Sequence, residues 1–93
     1  MKKTIANMEK AWNHRNDEFG IEIGNDILIK GCNLINIDSM DITTEDIETE
    51  CGDFDSESYY LIVALSGQGF GYDSIREIED VEDLVLFYCY HNN

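Results

Sequence analysis

The acids of this chain are crowded into its last two thirds, and only a fold that keeps them in water is open to it. Residues 1–30 balance five acids (Glu9, Asp17, Glu18, Glu22, Asp26) against five bases (Lys2, Lys3, Lys10, Arg15, Lys30). Residues 31–93 hold fifteen acids and a single base, Arg76, and so carry the entire net charge of −14. From Asp38 to Glu57 there are nine acids and no base. Like charges at this density repel one another and oppose the compact state. Each acid therefore needs a place in solvent or a partner.

Against that repulsion stands ample apolar material. At 43% hydrophobic and 11% aromatic residues, the composition is too rich for an intrinsically disordered chain. Ninety-three residues close one core, so a single domain over 1–93 is expected and a two-domain cofactor enzyme is excluded. Proline is absent and no Gly/Ser-rich linker interrupts the chain. The longest apolar runs, Tyr59–Leu65 and Leu84–Tyr90, are seven residues each, far below the roughly 20 that span a bilayer. Near the N-terminus Met8, Ala11 and Trp12 are interrupted by Glu9 and Lys10, so no secretory apolar region forms. Three cysteines, Cys32, Cys51 and Cys89, make an odd set with no close pair. They are expected as mostly buried thiols in a reducing compartment, the cytoplasm.

Hydrophobic periodicity predicts a first helix over residues 4–19, with Ile5, Met8, Ala11 and Trp12 facing the core and Gly20 ending it. Ile21–Lys30 has two β-branched runs around Gly24-Asn25-Asp26, the composition of a hairpin. Asn33–Asp38 alternates as a strand, either continuing the second one past a bulge at Gly31 or standing alone. Residues 41–52 have two readings: Thr43 or Thr44 caps a short helix, or Asp46, Glu48 and Glu50 alternate along a strand. Both place an acidic stripe on the solvent side. Tyr59–Ser66 reads as a central strand from its continuous apolar character. Residues 72–78 form another strand, or Ser74 and Glu77 a capping box. A last helix is expected from near Asp80, with Val81, Leu84, Val85 and Tyr88 inward. The fold class is α+β, an antiparallel sheet of three to four strands with an N-terminal and a C-terminal helix.

Chemical motifs are thin. Gly67-x-Gly69-x-Gly71 follows a strand, but the third glycine falls one position early for a dinucleotide loop and no Walker lysine follows. It reads as a flexible turn. Asp53, Asp55 and Glu57 have the opening spacing of a calcium loop, yet Ser58 and Ala64 occupy the positions that need Gly and Glu. Cys89 and His91 lack the further ligands of a zinc site. No cysteine has the electropositive setting of a nucleophile. No catalytic residue, metal or cofactor is expected from these patterns, and the chain reads as a non-enzyme.

The remaining signal is charge. Nucleic-acid binding is disfavoured, because phosphate contacts need Lys and Arg and four of the six bases lie in the first fifteen residues. Acids at i and i+2 of an extended segment point the same way about 6.7 Å apart, so Asp53, Asp55 and Glu57, or Asp46, Glu48 and Glu50, would line an edge at phosphate-like density. Phe54, set between two aspartates, and Phe70, between two glycines, are expected as exposed rings, Phe54 serving as an interface anchor with a charged rim. In size and charge, though through no motif, the chain resembles the small acidic inhibitors of phages and other mobile elements, such as anti-CRISPR and anti-restriction DNA mimics. The resemblance implies an inhibitor acting in the cytoplasm of a bacterial host, bound to the basic nucleic-acid cleft of an effector or nuclease. An immunity protein that neutralises a nuclease toxin shares the same physics, and solubility is the plainest use of the acids. The candidate partner-binding residues are Asp38, Asp41, Glu45, Asp46, Glu48, Glu50, Asp53, Phe54, Asp55 and Glu57. A second patch adds Asp73, Glu77, Glu79, Glu82 and Asp83.

Overall fold

The computed structural model describes residues 2–34, 42–63 and 72–92. Helix α1 (Lys2–Asn13) is followed by strands β1 (Gly20–Ile23) and β2 (Asp26–Lys30). A single helical turn α2 (Gly31–Leu34) and helix α3 (Thr44–Cys51) lead to strands β3 (Tyr59–Val63) and β4 (Ser74–Ile78), and helix α4 (Val81–Asn92) ends the chain. The four strands pair in the order β1-β2-β3-β4, every pair antiparallel. The α+β class, the four-stranded antiparallel sheet and the two terminal helices are as the sequence predicts.

Alternation along the strands divides the core in two. Leu28, Leu61, Val63 and Ile78 face α1 and α4, where they meet Met8, Ala11 and Leu84. Ile29, Tyr60, Ile62 and Ile75 face the other way, against Leu34, Ile42 and Ile47 of the α2–α3 connection. The sheet is thus covered on both sides. That arrangement explains the apolar continuity of β3: Tyr60, Leu61, Ile62 and Val63 are all buried because each face has its own helical layer.

The β1–β2 hairpin turns through Gly24 and Asn25, between the paired residues Ile23 and Asp26. Gly24 sits at φ 62°, where a Cβ is disfavoured. Helix α3 is the first of the two readings of residues 41–52. Thr43 caps it by a reciprocal box, in which Asp46 N–H donates to Thr43 Oγ1 (3.2 Å) and Thr43 N–H donates to Asp46 Oδ2 (2.9 Å). Its buried row is Ile47, with Cys51 one turn on. Residues 72–78 form the strand reading, β4, and α4 begins where expected, capped by Asp80, whose Oδ1 accepts from Asp83 N–H at 2.8 Å.

Three expectations fail. The first helix ends at Asn13, not Gly20. The run Asn13-His14-Arg15-Asn16-Asp17 is poor in helix formers, and Arg15 folds back to donate to the Trp12 carbonyl at 2.6 Å with its guanidinium over the Trp12 ring. Gly20 instead opens β1. Second, Gly31 starts a helical turn rather than a bulge. Its N–H donates to Ser58 O (2.7 Å) and Cys32 N–H to Ser56 O (2.8 Å), and a Cβ on Gly31 would lie 2.4 Å from the Asp55 carbonyl oxygen. The strand proposed for Asn33–Asp38 gives way at Asn33 and Leu34 to that turn, and its remainder lies outside the described residues, as do residues 64–66 and the glycine-rich segment with Phe70. Third, the cysteines are less buried than expected: Cys32 is exposed and Cys51 and Cys89 are half-buried, all three as free thiols. Among the described residues no helix is long and apolar enough to cross a membrane.

Two substitutions test this architecture. Leu61→Ala removes a fully buried side chain at the sheet centre and is expected to cost about 2–5 kcal/mol of unfolding free energy. Thr43→Ala loses the α3 cap and is expected to cost about 1 kcal/mol. Urea unfolding at constant salt measures both, and the smaller loss belongs to the cap.

Candidate functional site

The meander turns a linear charge imbalance into a spatial one. Because strand order follows chain order, the charge-balanced segment supplies strands β1 and β2, and the acidic remainder supplies β3 and β4. Strand β4 is an edge, with α3 packed beside it on one face and α4 on the other. Around it two adjoining grooves share Arg76 and Glu77. The first, about 250 Å³, is completed by Glu50 and Cys51 of α3. The second, about 460 Å³, is completed by Glu79, Asp80, Glu82, Asp83 and Leu86. Glu50 of the first acidic patch read from the sequence and Glu77, Glu79, Glu82 and Asp83 of the second therefore line grooves on one strand.

Many of these acids also hold the fold together. Asp46 completes the α3 capping box. Asp55 makes a turn, its Oδ1 accepting from Glu57 N–H at 2.9 Å. Ser58 Oγ lies within hydrogen-bond distance of both Asp55 Oδ2 (3.2 Å) and Glu77 Oε1 (3.0 Å). Glu57 pairs with Lys30 at 3.1 Å, and the carboxylate, by hydrogen bond and charge, raises the Lys30 ammonium above its ordinary value. Asp83 accepts from Glu79 N–H (3.3 Å) and pairs with Arg76 (3.6 Å), whose guanidinium lies 5.3 Å from the centre of the Phe87 ring. Carboxylates in the first turns of α3 and α4 also face favourable helix dipoles. So local structure accounts for part of the acid density.

Glu45, Glu48, Glu50, Asp53, Glu79 and Glu82 are different: all are exposed, and their side chains form no hydrogen bond or ion pair. Asp73 is exposed too, and its N–H closes the β3–β4 connection on Val63 O at 2.9 Å. Asp38 and Asp41 lie outside the described residues. The expected extended ladders do not form. Asp46, Glu48 and Glu50 are helical, so Glu48 points about 200° away from its i±2 neighbours, and Asp53, Asp55 and Glu57 occupy a bent connection. Phe54 is not an exposed anchor either. It is half-buried and stacks on Tyr60, centroids 6.2 Å apart at 12°. The exposed apolar side chain beside the acids is Leu86, 71% accessible. Its place on α4, two residues from the buried Leu84 and so on the opposite face, was available in the sequence.

The electrostatics of the edge follow from burial first. Burial pushes the Cys51 thiol up, helped by Glu77 and Glu50, while its Sγ donates to Ile75 O at 3.3 Å. Burial likewise raises the phenol of Tyr60, which accepts from Asp55 N–H at 3.0 Å. Tyr72 is raised by burial, then by Asp46 and Glu50. Among the described residues no group of three His, Cys, Asp or Glu side chains is placed to hold a metal ion. What the edge offers is a negative field over two shallow grooves, with one arginine held inside it.

The thiols report this environment. Only the thiolate is alkylated, so a raised Cys51 reacts slowly at about pH 8 and its rate keeps climbing at higher pH than that of an ordinary thiol. Iodoacetamide labelling followed by peptide mass spectrometry is expected to modify the exposed Cys32 well before Cys51.

Compared with known proteins, the chain matches no family model, no curated protein and no solved structure.

Proposed function

We propose that this protein is a non-enzymatic inhibitor whose acidic β4 edge occupies the basic nucleic-acid-binding cleft of a partner, of the class of a CRISPR effector or other defence nuclease. The observation that supports this reading is the sidedness of the charge. Three acids with no internal partner, Glu50 of α3, Glu79 of the β4–α4 connection and Glu82 of α4, line the grooves beside β4, and Glu45, Glu48 and Asp53 are exposed on or just after α3, the helix packed on that strand. A cleft built for phosphates is lined with Lys and Arg and releases counterions when it is filled. A rigid surface of opposite sign is steered into it at high rate in low salt. The carboxylates are spread over three elements rather than strung on an extended edge, so the likeness to nucleic acid lies in the field and not in a regular spacing. Leu86 adds an apolar contact beside the charged groove, the arrangement of a buried anchor with a polar rim.

The test starts from affinity capture on the tagged protein from lysate of its source cells, washed at about 50 mM and eluted at about 500 mM salt. Mass spectrometry names the eluted protein, and its binding to labelled duplex DNA is then measured with and without the inhibitor. The expected result is a nucleic-acid enzyme that loses DNA in competition, with affinity for the inhibitor falling steeply as salt rises. The combined variant Glu48→Gln, Glu50→Gln, Glu79→Gln, Glu82→Gln is expected to bind at least tenfold more weakly, about 1.4 kcal/mol, and with a shallower salt slope. Its melting temperature should stay close to the parent's, since the repulsion relieved among these acids offsets the small helix-dipole contribution of Glu82 in the first turn of α4. Unchanged binding by that variant sinks the electrostatic mechanism. A single small nuclease toxin as the partner makes the protein an immunity factor instead.

A further inference from the structure

The opposite edge of the sheet carries a different chemistry. A cleft of about 620 Å³ lies between α1, strand β1 with its turn, and Tyr88 of α4, within the range of roughly 300–1,000 Å³ usual for small-ligand sites. One wall carries Lys10 of α1 and His14 just past its end. Asp17 and Glu18 of the connection to β1 also line it.

Lys10 is singular among the described basic side chains. Arg15 is stacked on Trp12 and bonded to its carbonyl, Lys30 pairs with Glu57, and Arg76 pairs with Asp83. The Lys10 side chain has no ion pair, hydrogen bond or ring contact with any described residue. Glu18, lining the same cleft, is also without a partner. The two opposite charges share a cavity and do not pair with each other. His14, also on the lining, is joined to Asp17 through Nδ1 at 2.7 Å.

A plain anion meets the carboxylates of Asp17, Glu18 and Glu22, which also lines the cleft, and the field of a chain with net charge −14, while a plain cation leaves Lys10 facing it. A ligand with both charges, neutral overall, satisfies Lys10 and the carboxylates together. We propose that this cleft binds a small zwitterion, a free amino acid or a short peptide with unblocked ends, whose carboxylate meets Lys10 and whose ammonium meets Glu18. The site is independent of the acidic β4 edge and stands or falls separately from the inhibitor reading.

The full chain, labelled with nitrogen-15, is titrated with an equimolar mixture of the twenty standard amino acids, then with a mixed tripeptide pool, then with both sets N-acetylated or C-amidated. Saturable amide shifts confined to residues 7–24 and the region of Tyr88 are expected from at least one unblocked set, with at least tenfold weaker binding of its blocked forms. Response to the amino acids names them as the source, and response to the tripeptides alone names a peptide. Lys10→Gln and Glu18→Gln alter exposed side chains with no internal bonds, so their spectra should stay folded while affinity falls at least tenfold. No saturable shift from either unblocked set, shifts elsewhere, or a Lys10→Gln variant that binds as the parent does overturns the proposal.

Discussion

Strand β3 presents apolar side chains to both faces of the sheet, and each face needs its own cover. Leu61 and Val63 require the α1–α4 layer, and Tyr60 and Ile62 require the α2–α3 connection. Burying each such side chain is worth about 1.5–3 kcal/mol, so this strand supplies much of the attraction that the crowded acids oppose. It also fixes where the acids go. A strand with no polar face, centred between β2 and β4, pushes the described carboxylates to the sheet edge, the helix exteriors or the connections, with Asp26 at the start of β2 the buried exception.

The tolerance of so much like charge has a second source in the local uses of individual acids. Asp46 and Asp80 cap helices, Asp55 shapes the turn into β3, and Glu57 and Asp83 pair with Lys30 and Arg76. Tyr60 ties this together, since its buried ring stacks on Phe54 while its hydroxyl accepts from Asp55 N–H. The acid-rich connection is therefore anchored on the core strand beneath it. Removing charge from these positions would cost structure, whereas the unpartnered acids stand outside that network.

Much of the architecture was legible because it rests on local signals. Apolar periodicity marked α1 and α4, Gly24-Asn25 marked the hairpin, and the unbroken apolar run marked β3 as central. The misreadings have long-range causes. Arg15 ends α1 by stacking on Trp12 and lying 5.1 Å from the centre of the Tyr59 ring, a contact 44 positions away in sequence. Gly31 turns because the backbone at Asp55 and Ser56 lies against it. Of the two readings left open for residues 41–52, the alternation of Asp46, Glu48 and Glu50 imitates a strand, and the local Thr43–Asp46 box goes with the helix. The acidic residues of the candidate site were visible individually, but their convergence on β4 depends on a strand order that no local pattern encodes. The exposed ring expected at Phe54 was lost for the same reason, since Tyr60 covers it.

Sidedness is the property that separates the two uses of a large negative charge. Solubility is served by acids placed anywhere on a surface, and it gains nothing from leaving one half of the sheet balanced. Here the meander keeps the balanced segment at β1 and β2 and the surplus at β4, so the molecule presents an oriented field rather than a diffuse one. An approaching basic surface is turned toward one edge before contact, which raises the fraction of productive encounters. At the other edge the cleft beside α1 sets Lys10 among the carboxylates of Asp17, Glu18 and Glu22, a mixture of charges in place of a run of acids. A uniformly acidic chain of equal net charge would have neither feature.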